Sequence, residues 1–356
     1  MSGKSSFIPD ILITLPAILL ISLGVLVIYS SDPRMAVQQA ILALIGISIY
    51  FILSNFDFES LGPYINYSYI FILLLLIIVF IIGIETRGSL RWISIGFLQI
   101  QPSELAKPIV ILFLAQFWTS NKTTWKNILK SFLYILPLIL LVFKQPDLGT
   151  TLTIAFIWII MLFGANISLL KIVIMASFTF LMAPVFWFFL KSYQKERIAT
   201  FLSPSADPLG TGYNVIQSMI AVGSGQSFGR GLGRGTQSRL QFLPEFRTDF
   251  IFASIAEELG FFGSLIVLSL YGMIFFRSLK IVSIIRNRFQ SLIIIGVIGM
   301  FFFQVIVNIG MNIGIVPVTG ITLPLLSYGG SSLISTLIAL SFIASASRFS
   351  AKQKFD

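Results

Sequence analysis

Five carboxylates and a few basic residues stand in stretches that are otherwise apolar, and their spacing sets the chemistry open to them. Glu104 and Lys107 are three residues apart in QPSELAKP. On a helix that spacing puts both on one face, where they can pair. They read either as an ion pair at a helix end, with Ser103 as the N-cap, or as a polar cavity wall with one charge directed at a substrate. Asp147 follows Pro146 in KQPDLGT and suits the cap of the next helix. Asp249 stands beside Arg247 at the mouth of RTDFIFASIAEELG. A helix N-terminus and an arginine both favour its ionised form. It is either another cap or a general base for a hydroxyl within hydrogen-bond reach. Glu257 and Glu258 follow about 12 Å deeper, at about 1.5 Å per residue. Two adjacent carboxylates inside an apolar helix require that at least one be paired or protonated.

Residues 191–249 add Lys191, Lys195, Arg197, Arg230, Arg234, Arg239 and Arg247 against Glu196, Asp207, Glu245 and Asp249, a net of +3. Guanidinium forks bind phosphates bidentately; the competing reading is a solvated loop near anionic lipid. The Gly-rich GSGQSFGRGLGRGTQS (223–238) has no GK[ST] and no preceding strand, so it is not a nucleotide loop. It reads as backbone free to approach an anion or a sugar.

The chain that must position these groups has 356 residues, 56% hydrophobic and 11% charged, with a mean hydropathy of +0.94. So few charges cannot cover a soluble surface, which excludes a cytosolic enzyme, a coiled coil and a disordered chain. It has no Cys and no His. Disulfides, thiol nucleophiles, haem, the usual zinc sites and every His-dependent triad are thereby removed. The net charge of +10 points to anionic head groups or a phosphorylated substrate rather than nucleic acid.

Runs long enough for a core about 30 Å thick lie near 10–31, 34–55, 64–84, 104–119, 128–143, 148–165, 168–190, 250–276, 291–313 and 325–346. The expected fold is a single all-α integral membrane domain over 1–356 with about ten spans. The short loops holding Lys122, Lys126, Lys130, Lys171, Arg277, Lys280, Arg286 and Arg288 place both termini in the cytoplasm by the positive-inside rule. Segment 191–249, between the seventh and eighth spans, is then extracytoplasmic. It is far longer than an ordinary connection of about 4–6 residues. Its Tyr, Phe, Ile and Leu content argues for order, with a short interfacial helix at Tyr213–Val222.

Five segments carry a resemblance: RGSLRWISIGFLQIQPSELAKP (87–108), QPDLGT (145–150), ERIATFLSPSADPLGTGYNVIQSMIAVGSG (196–225), GRGTQSRLQFLPEFRTDFIFASIAEELG (233–260) and NIGMNIGIVPVTGITLPLLSYGGSS (308–332). The chain resembles the SEDS family of RodA, FtsW and SpoVE from about residue 10 to 346, and the RodA branch most. The resemblance implies a glycosyltransferase of the bacterial plasma (inner) membrane that polymerises lipid II during cell elongation. Its implied partners are a class B penicillin-binding protein, other elongation-complex proteins and membrane lipids, with no nucleic acid. It implies that Asp249 is required, that Trp92 matters for activity, and that Glu104 and Lys107 line an outward-facing polar cavity. Arg91, Asp147, Arg197, Gln217, Arg239 and Arg247 join them as substrate-binding candidates, with Glu257 and Glu258 as structural or cavity residues. One departure is visible. Many relatives carry a basic residue before Gln at the start of the second span, where this chain has Gln38–Gln39 and Arg34.

The transfer so implied needs a base on the acceptor hydroxyl and positive charge on the leaving pyrophosphate. Asp249 is the expected base; Lys107, Arg197, Arg239 and Arg247 are the expected cations. The sequence identifies no certain cofactor; a divalent cation, Mg or Mn, could share the pyrophosphate's charge, although no ligand spacing marks a metal site. Two other readings stay open: a lipid II flippase with its polar residues along a path, and a non-enzymatic scaffold for the transpeptidase.

Overall fold

The computed structural model describes residues 9–86, 89–95, 98–239 and 242–352. Helices occupy all ten apolar runs. The first seven are α1 (Ile11–Ser31), α2 (Pro33–Leu53), α3 (Gly62–Ile82), α4 (Pro102–Ser120), α5 (Trp125–Lys144), α6 (Leu148–Gly164) and α7 (Leu169–Phe189). Three short helices follow: α8 (Ser192–Leu202), α9 (Tyr213–Ser224) and α10 (Thr236–Arg239). The chain then forms α11 (Ile251–Ile284), α12 (Arg288–Asn312) and α13 (Gly330–Lys352). Among the described residues, seven helices are long and apolar enough to cross a membrane: α1, α2, α3, α5, α11, α12 and α13. The apolar stretches Leu148–Gly164 and Leu169–Val185 are shorter. The remaining long helix, α4, carries the buried Glu104 and Lys107. It packs among α3, α6, α12 and α13, and α12 packs in turn on α6, α11 and α13.

The fold is the expected helical membrane domain, with one small addition: β1 (Ile84–Thr86), β2 (Ser89–Ile95) and β3 (Leu98–Ile100) form an antiparallel sheet between α3 and α4. Ser89, Leu90, Arg91 and Trp92 alternate polar and apolar, with the period of two that a strand needs. Two boundaries differ from the sequence reading: α4 begins at Pro102 with Gln101 as N-cap, two residues earlier than a Ser103 cap would place it. Proline is well suited to a first helical position because its missing N–H has no partner there anyway. Last, α13 starts at Gly330 rather than 325. Leu325 at φ 68° and Gly329 at φ 154° keep the preceding segment out of the helix.

The long connection between α7 and α11 is ordered around a break in α11. Gly260 lies at φ 69°, ψ −162°, a conformation essentially restricted to glycine. The break frees backbone groups at membrane depth, where each needs a partner. The Gly-rich segment supplies them. Phe261 N–H donates to the Gln226 carbonyl at 2.8 Å and Phe262 N–H to that of Ser227 at 3.2 Å. The Glu257 and Glu258 carbonyls accept from Arg230 N–H and Gly231 N–H at 2.9 and 3.0 Å. The two buried carboxylates fasten the same strap. Glu257 Oε1 accepts from Gln237 N–H at 2.9 Å and Thr236 Oγ1 at 3.2 Å; Glu258 accepts from Ser30 Oγ at 2.8 Å. The glycines expected to approach an anion or a sugar therefore approach α11 instead.

Candidate active site at one end of the bundle

Asp249 sits where α11 begins. The N-cap position of α11 belongs to Phe250, so Asp249 lies one residue outside the helix and is not its cap. It is held by its main chain. Asn308 and Asn312, both fully buried and one turn apart on α12, donate from Nδ2 to the Asp249 carbonyl at 2.9 and 3.1 Å. Asn308 Nδ2 also donates to the Ile321 carbonyl at 2.7 Å, and Asn312 Oδ1 accepts from Ala253 N–H at 2.9 Å. Because the grip is on the backbone, the carboxylate itself faces the 313–329 segment. A Cβ placed on Gly320, at φ 73°, would lie 3.5 Å from Asp249 Oδ2.

That segment is clamped on both sides. Ser327 Oγ donates to the Thr248 carbonyl at 2.6 Å and Tyr328 N–H to the Arg247 carbonyl at 2.8 Å. From α2, Gln39 Nε2 donates to the Ser327 carbonyl at 3.1 Å, and Gln39 Oε1 accepts from Gly329 N–H at 3.2 Å. Gln38 Oε1 accepts from the Tyr328 hydroxyl at 2.9 Å. Burial, and secondarily the Asp32 charge, push the Tyr328 pKa up, which keeps it a neutral donor. Gln38 and Gln39 thus serve as a clasp, and Arg34 stays exposed.

A second polar cluster adjoins this one. Asp147 caps α6 through Oδ1, which accepts from Thr150 N–H at 3.1 Å. Its Oδ2 accepts from Gln101 Nε2 at 2.9 Å and Ser103 Oγ at 3.2 Å. Asp147 is therefore both the expected cap and the anchor that ties α6 to the start of α4. Gln101 N–H donates to Ser331 Oγ at 3.0 Å, joining α13. One turn along α4, Lys107 Nζ and Glu104 Oε2 form an ion pair at 2.6 Å, almost wholly buried. The two clusters meet at 319–321: a Cβ on Gly149 would stand 3.2 Å from the carbonyl oxygens of Thr319 and Gly320.

Breaking the buried pair from one side leaves an uncompensated charge, which typically costs about 3–5 kcal/mol. Lys107→Met is accordingly expected to lower the melting temperature in detergent, and adding Glu104→Gln should recover most of the loss. A single variant that melts with the wild type would show that the pair is not structural.

The other candidates divide by location. Arg247 turns away from its sequence neighbour Asp249 toward the α1–α2 turn. Its Nε donates to Ser31 Oγ at 3.0 Å, its Nη2 is 3.9 Å from Asp32, and its guanidinium lies 4.5 Å from the centre of the Phe246 ring. Arg91 donates to the carbonyls of Gln145 and Pro146, closing the α5–α6 connection. Trp92 is half-buried on β2 opposite Ile84. Arg197, on α8, reaches the 313–329 segment: its Nη1 donates to the Val318 carbonyl at 3.2 Å while the rest of the side chain stays exposed. Gln217 is half-buried on α9. Arg239 ends α10, and its side chain lies outside the described residues. Sequence reasoning missed Asn308, Asn312 and Gln101. The two asparagines did leave a signal, a pair of amides one turn apart in an apolar run.

The chain matches the cell cycle protein family of FtsW, RodA and SpoVE over residues 6–352. It belongs to that family. Among curated relatives of this FtsW/RodA/SpoVE family, the peptidoglycan glycosyltransferase MrdB of Escherichia coli K12 is 39% identical, covering 95% of this chain and 92% of that one. Stage V sporulation protein E of Bacillus subtilis 168 is 35% identical, covering 96% and 98%. The fold matches a chain from a peptidoglycan synthase complex that coordinates polymerization and crosslinking (TM-score 0.85, 32% identity, 96% and 98% covered). It also matches the rod shape determining protein RodA of Thermus thermophilus (TM-score 0.71, 29% identity, 96% and 97% covered). The protein is thus a multi-pass membrane protein of this family.

Proposed function

We propose that this protein is a peptidoglycan glycosyltransferase that polymerises lipid II during cell elongation. The observation that carries the reading is Asp249, held through its main-chain carbonyl by two buried asparagines with its carboxylate toward the 313–329 segment, in a chain whose full-length relatives bear that name. The acceptor's GlcNAc 4-hydroxyl attacks C1 of MurNAc on the donor. The C1–oxygen bond to pyrophosphate breaks as the new glycosidic bond forms, and undecaprenyl pyrophosphate departs. The hydroxyl proton passes to Asp249, the general base. An α-linked donor gives a β-linked product in one inversion, so no covalent enzyme intermediate is needed.

Arg197 is the cation best placed for the leaving group, since it is anchored to Val318 near Gly320 and keeps free donors. Lys107 and Arg247 are already compensated by Glu104 and Asp32. Arg197→Ala should therefore raise the KM for lipid II about tenfold or more, the size of a lost charge-assisted contact. An unchanged KM would move the pyrophosphate elsewhere. Among the described residues no three carboxylates converge as metal ligands. No step is routed through a metal ion.

In this reading the Asp249 end faces the outside, with both termini in the cytoplasm. The lipid tail stays between helices and the sugars stay in water. The partner is a class B penicillin-binding protein. Against transport, Glu104 is paired with Lys107, Glu257 is engaged by the 225–237 strap, and Glu258 accepts from Ser30 of α1, so these buried charges are already engaged.

The test supplies lipid II to the purified protein in detergent, where there is no bilayer to cross, with and without its transpeptidase partner. Polymer on a gel is expected. No polymer, with a partner shown to be active, would favour transport or scaffolding.

A further inference from the structure

At the end of the bundle opposite Asp249, α3, α4 and α5 line an open cavity of about 460 Å³ that the proposed reaction does not use. Its lining includes Asn66, Tyr69, Phe113, Gln116, Lys130 and Tyr134. One wall is aromatic: Tyr69 stacks on Phe113 at 4.4 Å between centroids, and Tyr134 meets Phe113 edge-on at 5.6 Å. The Tyr69 hydroxyl donates to the Tyr134 carbonyl and joins α3 to α5 there.

One buried polar atom of the lining lacks a partner, and an exposed, solvated cation stands at the mouth. Gln116 spends its amide N–H on the Gly62 carbonyl at 2.9 Å, which leaves Oε1 buried without a hydrogen-bond partner. A buried acceptor without a donor costs about 1–3 kcal/mol. Lys130 is exposed at the mouth, its ammonium 5.7 Å from the centre of the Tyr134 ring, with no carboxylate partner among the described residues. None is near in sequence either: residues 62–82 and 105–146 contain no Asp or Glu, while Lys122 and Lys126 add positive charge.

The cavity also lies at a definable depth. Tyr64 and Tyr67 at the start of α3, and Trp125 at the start of α5, are exposed at this end. Exposed Tyr and Trp at helix ends mark the membrane–water interface. The cavity begins about one turn inside them, at the boundary between head groups and acyl chains. Beyond it, Ile70, Phe71, Leu74 and Leu133 present an apolar surface.

A ligand matching these features carries an anion for Lys130, a hydroxyl donor for Gln116 Oε1, and an apolar body for the aromatic wall and the helix faces beyond. We propose that this cavity holds the head group of an anionic phospholipid of the phosphatidylglycerol class, with its acyl chains running along α3 and α5. The cavity accommodates the head group and not a whole diacyl lipid.

Native mass spectrometry of the full-length protein, delipidated in detergent and titrated with phosphatidylglycerol or phosphatidylcholine, tests the assignment. Wild type should retain phosphatidylglycerol about tenfold better. Lys130→Gln should lower that retention about fivefold, the size of one lysine–phosphate contact, with no change in lipid-free melting temperature. Lys126→Gln, exposed and outside the cavity lining, should behave as wild type. Gln116→Leu should weaken phosphatidylglycerol more than phosphatidic acid, which lacks the glycerol hydroxyls. Equal retention of the two titrated lipids by wild type, or undiminished retention by Lys130→Gln, would overturn the proposal. So would complete displacement of the lipid by millimolar glycerol phosphate, which would identify a site for a free phosphate ester instead.

Discussion

A Gly260→Ala variant is expected to give little folded protein. Two independent costs act at this position. The backbone conformation at φ 69°, ψ −162° is reserved for glycine, and strain of this kind costs about 1–3 kcal/mol. An added Cβ would also stand 2.3 Å from the Gly229 nitrogen, a backbone atom that cannot rotate away, and overpacking costs about 1–3 kcal/mol. Moving either strand would break the four hydrogen bonds that satisfy the interrupted α11. A total of roughly 2–6 kcal/mol removes much of a typical margin of stability, about 5–15 kcal/mol. The yield of monodisperse protein and its melting temperature in detergent report the loss. Gly272→Ala is the internal control: it lies in the same helix, a Cβ there would meet nothing within 4 Å, and it should be neutral or slightly stabilising. A Gly260→Ala protein that melts with the wild type would refute the break and the strap built around it.

Asp249→Asn is expected to abolish most activity with the fold intact. The grip of Asn308 and Asn312 is on the residue 249 carbonyl, which any side chain leaves in place. Asparagine has nearly the shape of aspartate but cannot take up a proton at neutral pH. Losing a general base typically costs about 10²–10⁴-fold in rate. The fall should appear in kcat, with KM for lipid II little changed, because binding of the pyrophosphate rests on other groups. A variant whose KM rose while kcat held would place Asp249 in binding and leave the base unidentified.

The elements of this site differ in how far they can be read from sequence. Glu104, Lys107, Asp147 and Asp249 are legible because a charge in an apolar run is costly and must have a partner or a task. The i, i+3 pairing of Glu104 with Lys107 follows from helix geometry alone. The helical runs are legible for the same reason, since length and hydropathy leave little choice in a membrane. Arg247 is misleading. It is two residues from Asp249, but the backbone there is irregular, with Glu245 at φ 56°, and its side chain leaves toward Asp32. Adjacency in sequence fixes proximity only within regular structure.

The uncharged supports are the least legible. Asn308, Asn312, Gln101, Gln38 and Gln39 need partners when buried, but their types do not reveal which distant carbonyl they will meet. Gly260 is similar: glycine in ELGFFG is compatible with an unbroken helix, and only the crossing strap explains the break. The sheet at 84–100 is hidden in a chain whose hydrophobicity favours helices everywhere. Its alternation covers only a few residues and competes with apolar runs on both sides.

The most direct test of the central claim compares wild type and Asp249→Asn in one lipid II polymerisation reaction, with lipid II binding measured on the same samples. Glycan polymer from wild type, at least about 100-fold less from the variant, and equal binding by both is the expected result. Equal polymer from both proteins would contradict the account, because the group assigned the acceptor's proton would then be dispensable.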